Sequence, residues 1–136
     1  MRDVEASRGV SATPLEVRRA LTPENVVEYE GSFAVRDVRE EGDGTVVTAG
    51  GGGLEFTLRF SPREDGLYYT QEGEEGPFES METRVTVDAE TGGSRVRMQS
   101  SVSLGLPAAF LTDRLAGWKR RGELRRALRA LDADVG

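Results

Sequence analysis

The chain has 136 residues, enough for one domain built around a single sizeable core. Its apolar and charged fractions, 37% and 31%, are those of a folded chain with a wet surface rather than a disordered one. With no cysteine and no histidine, it lacks the means for disulfides, thiol or Ser-His nucleophiles and the usual zinc sites, so no metal or other cofactor is expected.

The formal charge of −6 is uneven, with −9 over residues 1–105 and +3 over residues 106–136. An acidic sheet region repels phosphates, which argues against nucleic acid as a partner. All of the 18 basic residues but Lys119 are arginine, so acid–base chemistry would fall to Asp, Glu, Tyr or that one lysine. The acid-rich, lysine-poor balance resembles that of cytosolic proteins adapted to high salt. No apolar run approaches the ~20 residues that span a bilayer, and Met1-Arg2-Asp3-Val4-Glu5 lacks the apolar core of a secretory signal. A cytoplasmic location without stable membrane insertion is expected.

Arg2–Val10 reads as a strand. Thr13 can cap a helix that starts at Pro14, and Thr22-Pro23 repeats the arrangement, which predicts two short helices over Pro14–Leu21 and Pro23–Tyr29. Strands follow at Ser32–Arg39 and Thr45–Ala49, joined by a turn over Glu40-Glu41-Gly42-Asp43-Gly44. Leu54–Phe60 alternates cleanly, with Leu54, Phe56, Leu58 and Phe60 on one face and Glu55, Thr57 and Arg59 on the other. Residues 61–66 read as a loop before a strand over Leu67–Glu72. Pairing Phe60 with Leu67 sets Leu58 against Tyr69, Phe56 against Gln71 and, outside, Glu55 against Glu72.

After a loop over Gly73–Pro77, Glu79–Val87 alternates again, with Met81, Thr83, Val85 and Val87 inward. The last hairpin is specified best. Pairing Asp88 with Arg95 brings Val87 to Val96, Val85 to Met98, Thr83 to Ser100 and Met81 to Val102, with Thr86–Arg97 and Glu82–Ser101 outside. Ala108 to about Asp132 is helical in pattern and, at ~1.5 Å per residue, roughly 37 Å long, enough to cross the sheet. Leu111, Leu115 and Trp118 make one stripe, continued by Gly122; Leu124, Leu128 and Leu131 make a second, offset one. The contact face is therefore expected to shift around Gly122.

This order of strand, two short helices, six strands and one long helix resembles the helix-grip fold of the START-like (SRPBCC) superfamily, which includes Bet v 1-like and polyketide cyclase/dehydrase-like proteins. The resemblance covers about residues 2–133. Its most recognisable piece runs Val4-Glu5-Ala6-Ser7, then Thr13-Pro14-Leu15-Glu16-Val17, then Ala20-Leu21-Thr22. It is similar to the strand and Ala-Pro-x-x-Val…Leu-x-Asp pattern that open many such domains, although Arg18 stands where many members carry an aromatic residue. The resemblance implies a single α+β domain over residues 1–136, in which an antiparallel seven-stranded sheet (β-α-α-β6-α) wraps around the C-terminal helix. It also implies a cavity between them for lipids, polyketides or other small hydrophobic molecules. A minority of members are enzymes, and no catalytic residue carries over.

The expected cavity walls are the inward faces, Phe56, Leu58, Tyr69, Gln71, Met81, Thr83, Met98 and Ser100. Leu111, Leu115 and Trp118 would roof them, with Gly117 and Gly122 leaving space. The plain alternative is that these side chains fill one another in as core. An unpaired buried polar group costs ~1–3 kcal/mol, so the inward polar residues need partners. Thr83 and Ser100 can satisfy each other, which leaves Tyr69 and Gln71 as ligand-contact candidates. Glu79 reads as surface.

Gly50–Gly53 lacks the Lys-Ser/Thr ending and the following helix of a phosphate loop, and reads as a hairpin connection. The acidic stretch over residues 72–76 lacks the alternating spacing of a calcium loop. Lys119, Arg120, Arg121, Arg125, Arg126 and Arg129 read as the exposed side of the helix, with stems over apolar surface and heads near the acidic sheet edge, in preference to a surface for a membrane or an acidic partner. Binding or carriage of a small hydrophobic ligand is the leading expectation. A cyclase or dehydratase using Tyr69 with an inward carboxylate is the alternative, weakened by the absence of histidine. A groove that binds a protein partner is the third, and nothing in the sequence sets an oligomeric state.

Overall fold

The computed structural model describes residues 1–73, 75–104 and 109–136, without the side chains of 109–112. The elements are β1 (Arg2–Val10), α1 (Pro14–Ala20), α2 (Pro23–Glu30), β2 (Ala34–Glu41), β3 (Gly44–Gly51), β4 (Leu54–Arg63), β5 (Gly66–Glu72), β6 (Ser80–Glu90), β7 (Gly93–Ser103) and α3 (Ala109–Val135). The strands form one seven-stranded antiparallel sheet in the order β1-β7-β6-β5-β4-β3-β2. β2 to β7 are a simple meander. α1 and α2 carry the chain from β1 at one edge to β2 at the other, and α3 packs across the inner face, chiefly on β1, β7 and α2.

Local chemistry sets the two short helices. The Thr13 hydroxyl accepts from the Glu16 amide at 3.2 Å, and the Glu16 carboxylate accepts in return from the Thr13 amide at 3.2 Å, with Pro14 in the first turn. Thr22 caps α2 by accepting from the Asn25 amide at 3.2 Å. Gly31 ends that helix in the left-handed region at φ 79°. A side chain there would also press on Arg126, so glycine both stops α2 and lets α3 pass.

The β6–β7 register is the expected one throughout, from Met81 opposite Val102 to Asp88 opposite Arg95. The β4–β5 register differs by two residues. Phe60 faces Tyr69, Leu58 faces Gln71, and Thr57 rather than Glu55 faces Glu72. The reason is electrostatic on the outer face: this register lets Arg59 donate to Glu72 at 2.5 Å and to Glu41 at 3.0 Å, replacing the like-charge contact. β4 runs on through Pro62 to Arg63, past its last β3 partner, where that side of the strand has no neighbour and proline is tolerated. Inner-face alternation is otherwise kept, with Phe56, Leu58, Phe60, Met81, Thr83, Val85 and Val87 all buried, whereas Leu54 at the hairpin end is 39% exposed.

α3 is one helix with one buried stripe: Asp113, Ala116, Gly117, Arg120, Glu123, Leu124, Ala127, Leu128 and Leu131. The expected pair of offset stripes is not observed. Gly117 does not leave room; a Cβ there would lie 2.5 Å from the Arg2 side chain, so it seats α3 directly on β1. Gly122 faces open space.

Because the Thr13 cap satisfies donors that a short helix cannot spare, Thr13→Ala should lower stability by about 1 kcal/mol in urea unfolding, and Thr13→Ser should keep most of it.

Candidate functional site

Three inward polar side chains fall on one row across the sheet, because Tyr69 pairs with Thr83 and Thr83 with Ser100. Onto this row α3 lowers Arg120, whose side chain is 2% exposed. Its Nε donates to Ser100 Oγ at 3.1 Å, and its Nη1 to Glu30 Oε1 at 2.5 Å and Glu123 Oε1 at 3.3 Å. Its Nη2 donates to Tyr69 Oη at 2.9 Å, Thr83 Oγ1 at 2.8 Å and Glu30 Oε2 at 3.3 Å. All three nitrogens of the guanidinium are thereby engaged. The Tyr69 hydroxyl donates to Glu30, and the Ser32 hydroxyl to Glu123. Lys119 Nζ reaches Glu123 at 3.3 Å from the rim, so two cations balance two carboxylates. Among the described residues no buried side-chain nitrogen or oxygen lacks a partner.

The charges in this network are held firmly. Burial, then the charge of Glu30, pushes the Tyr69 hydroxyl well above its ordinary 10.0. Burial alone would lower Arg120, but Glu30, Tyr69 and Glu123 outweigh it and keep the guanidinium charged. Burial likewise opposes the Glu123 carboxylate, yet Arg120, the Ser32 hydroxyl and Lys119 hold it below its ordinary value. Tyr69 and Arg120 keep their protons and Glu123 stays ionised across the neutral range.

Against this polar floor lies a cavity of about 20 Å³, walled by Val27, Phe56, Leu58, Met81 and Phe78, with Glu30, Gln71 and Arg120 at its polar side. That is room for about one water. Phe78 closes it and is fixed by the Gln71 amide, which donates to the Phe78 carbonyl at 2.6 Å and accepts from the Phe78 N–H at 3.3 Å. Phe33 fills further space, edge-on to Phe56 with ring centroids 4.8 Å apart.

No family model matches the sequence, and no curated protein does. Solved structures do match. A protein of Thermus thermophilus is similar over 99% of this chain and 100% of that one, with TM-score 0.72 and 21% identity. The Zhui aromatase/cyclase of a Streptomyces species aligns over 98% of this chain and 92% of its own, with TM-score 0.77 and 14% identity. A START superfamily protein of Mycobacterium smegmatis aligns over 98% and 96%, with TM-score 0.68 and 13% identity. The chain has the helix-grip fold of these structures.

Within this helix grip the expected site residues divide. Phe56, Leu58, Gln71 and Met81 line the small cavity. Tyr69, Thr83 and Ser100 do not line it but hold Arg120, which does; Thr83 and Ser100 also meet each other at 2.8 Å. Met98 is buried opposite Val85 and does not line the cavity. The side chain of Leu111 lies outside the described residues.

Leu115 and Trp118, expected as the roof, instead point outward and are 65% and 75% exposed. The inward positions of these turns belong to Ala116, Gly117 and Arg120, and the hydrogen bonds of Arg120 fix the rotation of α3 about its axis. Arg120 itself is corrected from exposed to buried, and Glu30 and Glu123 join it as site residues that polarity alone does not reveal. Glu79 is exposed. Gly50–Gly53 spans the β3–β4 turn, and Glu74 of the acidic loop lies outside the described residues. Among the described residues no group of side chains is placed to hold a metal ion, and no helix is long and apolar enough to cross a membrane.

Arg120→Met should destabilise the protein by about 3–5 kcal/mol, because it strands buried carboxylates. Adding Glu30→Gln and Glu123→Gln should recover a large part of the loss in the same unfolding assay.

Glu123 has a folded-state pKa below its unfolded one, so its contribution is present at neutral pH and is lost as pH falls below the ordinary 4.5. Glu123→Gln should flatten the acid limb of a stability–pH curve while lowering stability at pH 7.

Proposed function

We propose that this protein binds a small hydrophobic molecule bearing one neutral hydrogen-bonding end in the space between the sheet and α3. The observation that carries this reading is the composition of the cavity: aromatic and aliphatic walls that end on Glu30, Gln71 and Arg120. Such a mixture fixes orientation at one end and gains its binding energy along the other. Arg120 is already neutralised by Glu30 and Glu123, so an anionic head group gains little there and meets the Glu30 charge. A hydroxyl or carbonyl can donate to Glu30 or accept from Gln71 without disturbing the balance.

A ligand of ordinary size needs roughly 300 Å³ or more, so binding requires Phe78 to swing out of its place. The Gln71 clasp holds the main chain of Phe78, so the ring can turn about its side-chain bonds with both hydrogen bonds kept. A cyclase or dehydratase reading rests on the Tyr69–Glu30 hydrogen bond, of which Glu30 lines the cavity. Against it, Tyr69, Arg120 and Glu123 hold fixed charge states instead of being poised to exchange protons. Binding is the better supported role.

Phe78→Ala should enlarge the cavity and strengthen binding of Nile red, read by its fluorescence. In native mass spectrometry, 1-dodecanol should bind more tightly than dodecanoate. If neither wild type nor Phe78→Ala takes up Nile red or dodecanol, the reading fails; a preference for dodecanoate overturns its claim of a neutral end.

A further inference from the structure

The outward face of α3 carries the exposed Arg114, Arg125 and Arg129, with the half-buried Arg121 on its flank, and none of the four forms an ion pair or hydrogen bond among the described residues. In a chain with 24 acidic groups and 18 basic ones, four unpaired arginines on one helix face are an unexpected arrangement. They surround Trp118, 75% exposed, and Leu115, 65% exposed. At ~100° per residue, Leu115, Trp118, Gly122, Arg125 and Arg129 fall within roughly 80° of the helix circumference. Gly122 has open space where a side chain would stand, so Trp118, Arg121, Arg125 and Arg126 enclose a shallow recess of about 440 Å³.

Two apolar side chains are too few for a stable protein interface, which typically covers ~800 Å² per partner. An exposed indole beside unpaired arginines does match the headgroup layer of a bilayer, where tryptophan rests at the interface and guanidinium groups reach phosphates. We propose that this face docks the protein on an anionic lipid bilayer, with Trp118 and Leu115 in the headgroup layer and Arg121, Arg125 and Arg129 against lipid phosphates. The acidic groups concentrated in residues 1–105 leave this basic helix as the side that an anionic surface attracts. Docking also brings the cavity closure near the lipid, since Lys119 Nζ lies 5.7 Å above the Phe78 ring. The proposal stands on the exposed surface and not on the ligand reading, and its test involves no ligand.

Trp118 is the one tryptophan of the chain, so its emission reports the contact directly. With vesicles of phosphatidylcholine containing phosphatidylglycerol, the emission should move to the blue and the protein should cosediment. Vesicles of phosphatidylcholine alone should produce neither effect. The double variant Arg125→Glu/Arg129→Glu should bind the anionic vesicles more weakly, by roughly fivefold or more for each arginine lost, with an unchanged circular dichroism spectrum. Trp118→Ala should reduce cosedimentation as well.

No blue shift and no cosedimentation with anionic vesicles overturns the proposal, as does equal binding by the charge-reversed variant or equal binding to both vesicle types. A blue shift that follows protein concentration without lipid assigns the face to a second copy of the chain, and one produced only by duplex DNA assigns it to nucleic acid. Either result also overturns it.

Discussion

A guanidinium leaves water at acceptable cost only when its N–H groups find acceptors, and Arg120 meets that condition by drawing on five elements at once. Glu30 comes from α2, Tyr69 from β5, Thr83 from β6, Ser100 from β7 and Glu123 from α3 itself. The apolar contacts of α3 constrain its depth and direction on the sheet, but leucine packing is tolerant of small rotations. Charged hydrogen bonds of fixed geometry are not. The network therefore determines which residues of α3 face inward, and the outward position of Leu115 and Trp118 follows from it.

The same interaction shapes what the interior can accept. A helix grip with an apolar interior would offer a ligand only shape. Here the space meets a saturated ion cluster with no net surplus of charge, and it is lined by the Phe78 ring, whose main chain the Gln71 amide holds at two points. Phe33, Phe56 and Phe78 line the pocket and take up space within it.

Much of this architecture is legible in the sequence because local and long-range signals agree. Thr13-Pro14 and Thr22-Pro23 mark both short helices, and in the β6–β7 hairpin the apolar face and the Asp88–Arg95 pair select one register. The β4–β5 register expected from the sequence is two residues off because Pro62 resembles the end of a strand; it is not one where the strand lacks a neighbour on that side. Arg120 is hidden by its residue type, since arginine is ordinarily exposed. Yet stepping back by fours from Leu128 through Leu124 leads to Arg120 and then Ala116, and Tyr69, Thr83 and Ser100 stand together on one inward row without a common partner. The large side chains Leu111, Leu115 and Trp118 point the periodicity to a different face. Glu30, at the end of a helix and far away in sequence, carries no signal that periodicity could detect.

The pairing of β1 with β7 has a consequence for how the chain assembles. β2 to β7 can form from sequence neighbours, hairpin by hairpin, but β1 precedes all of them in the sheet and its partner β7 follows all the others. Bringing them together carries the entropy cost of closing the loop that holds α1, α2 and β2 to β6. Until it closes, β7 presents an unsatisfied edge on which a strand of another molecule can pair. β1 is thus the guard of that edge, and the interval before its arrival is when a new chain is most open to aggregation.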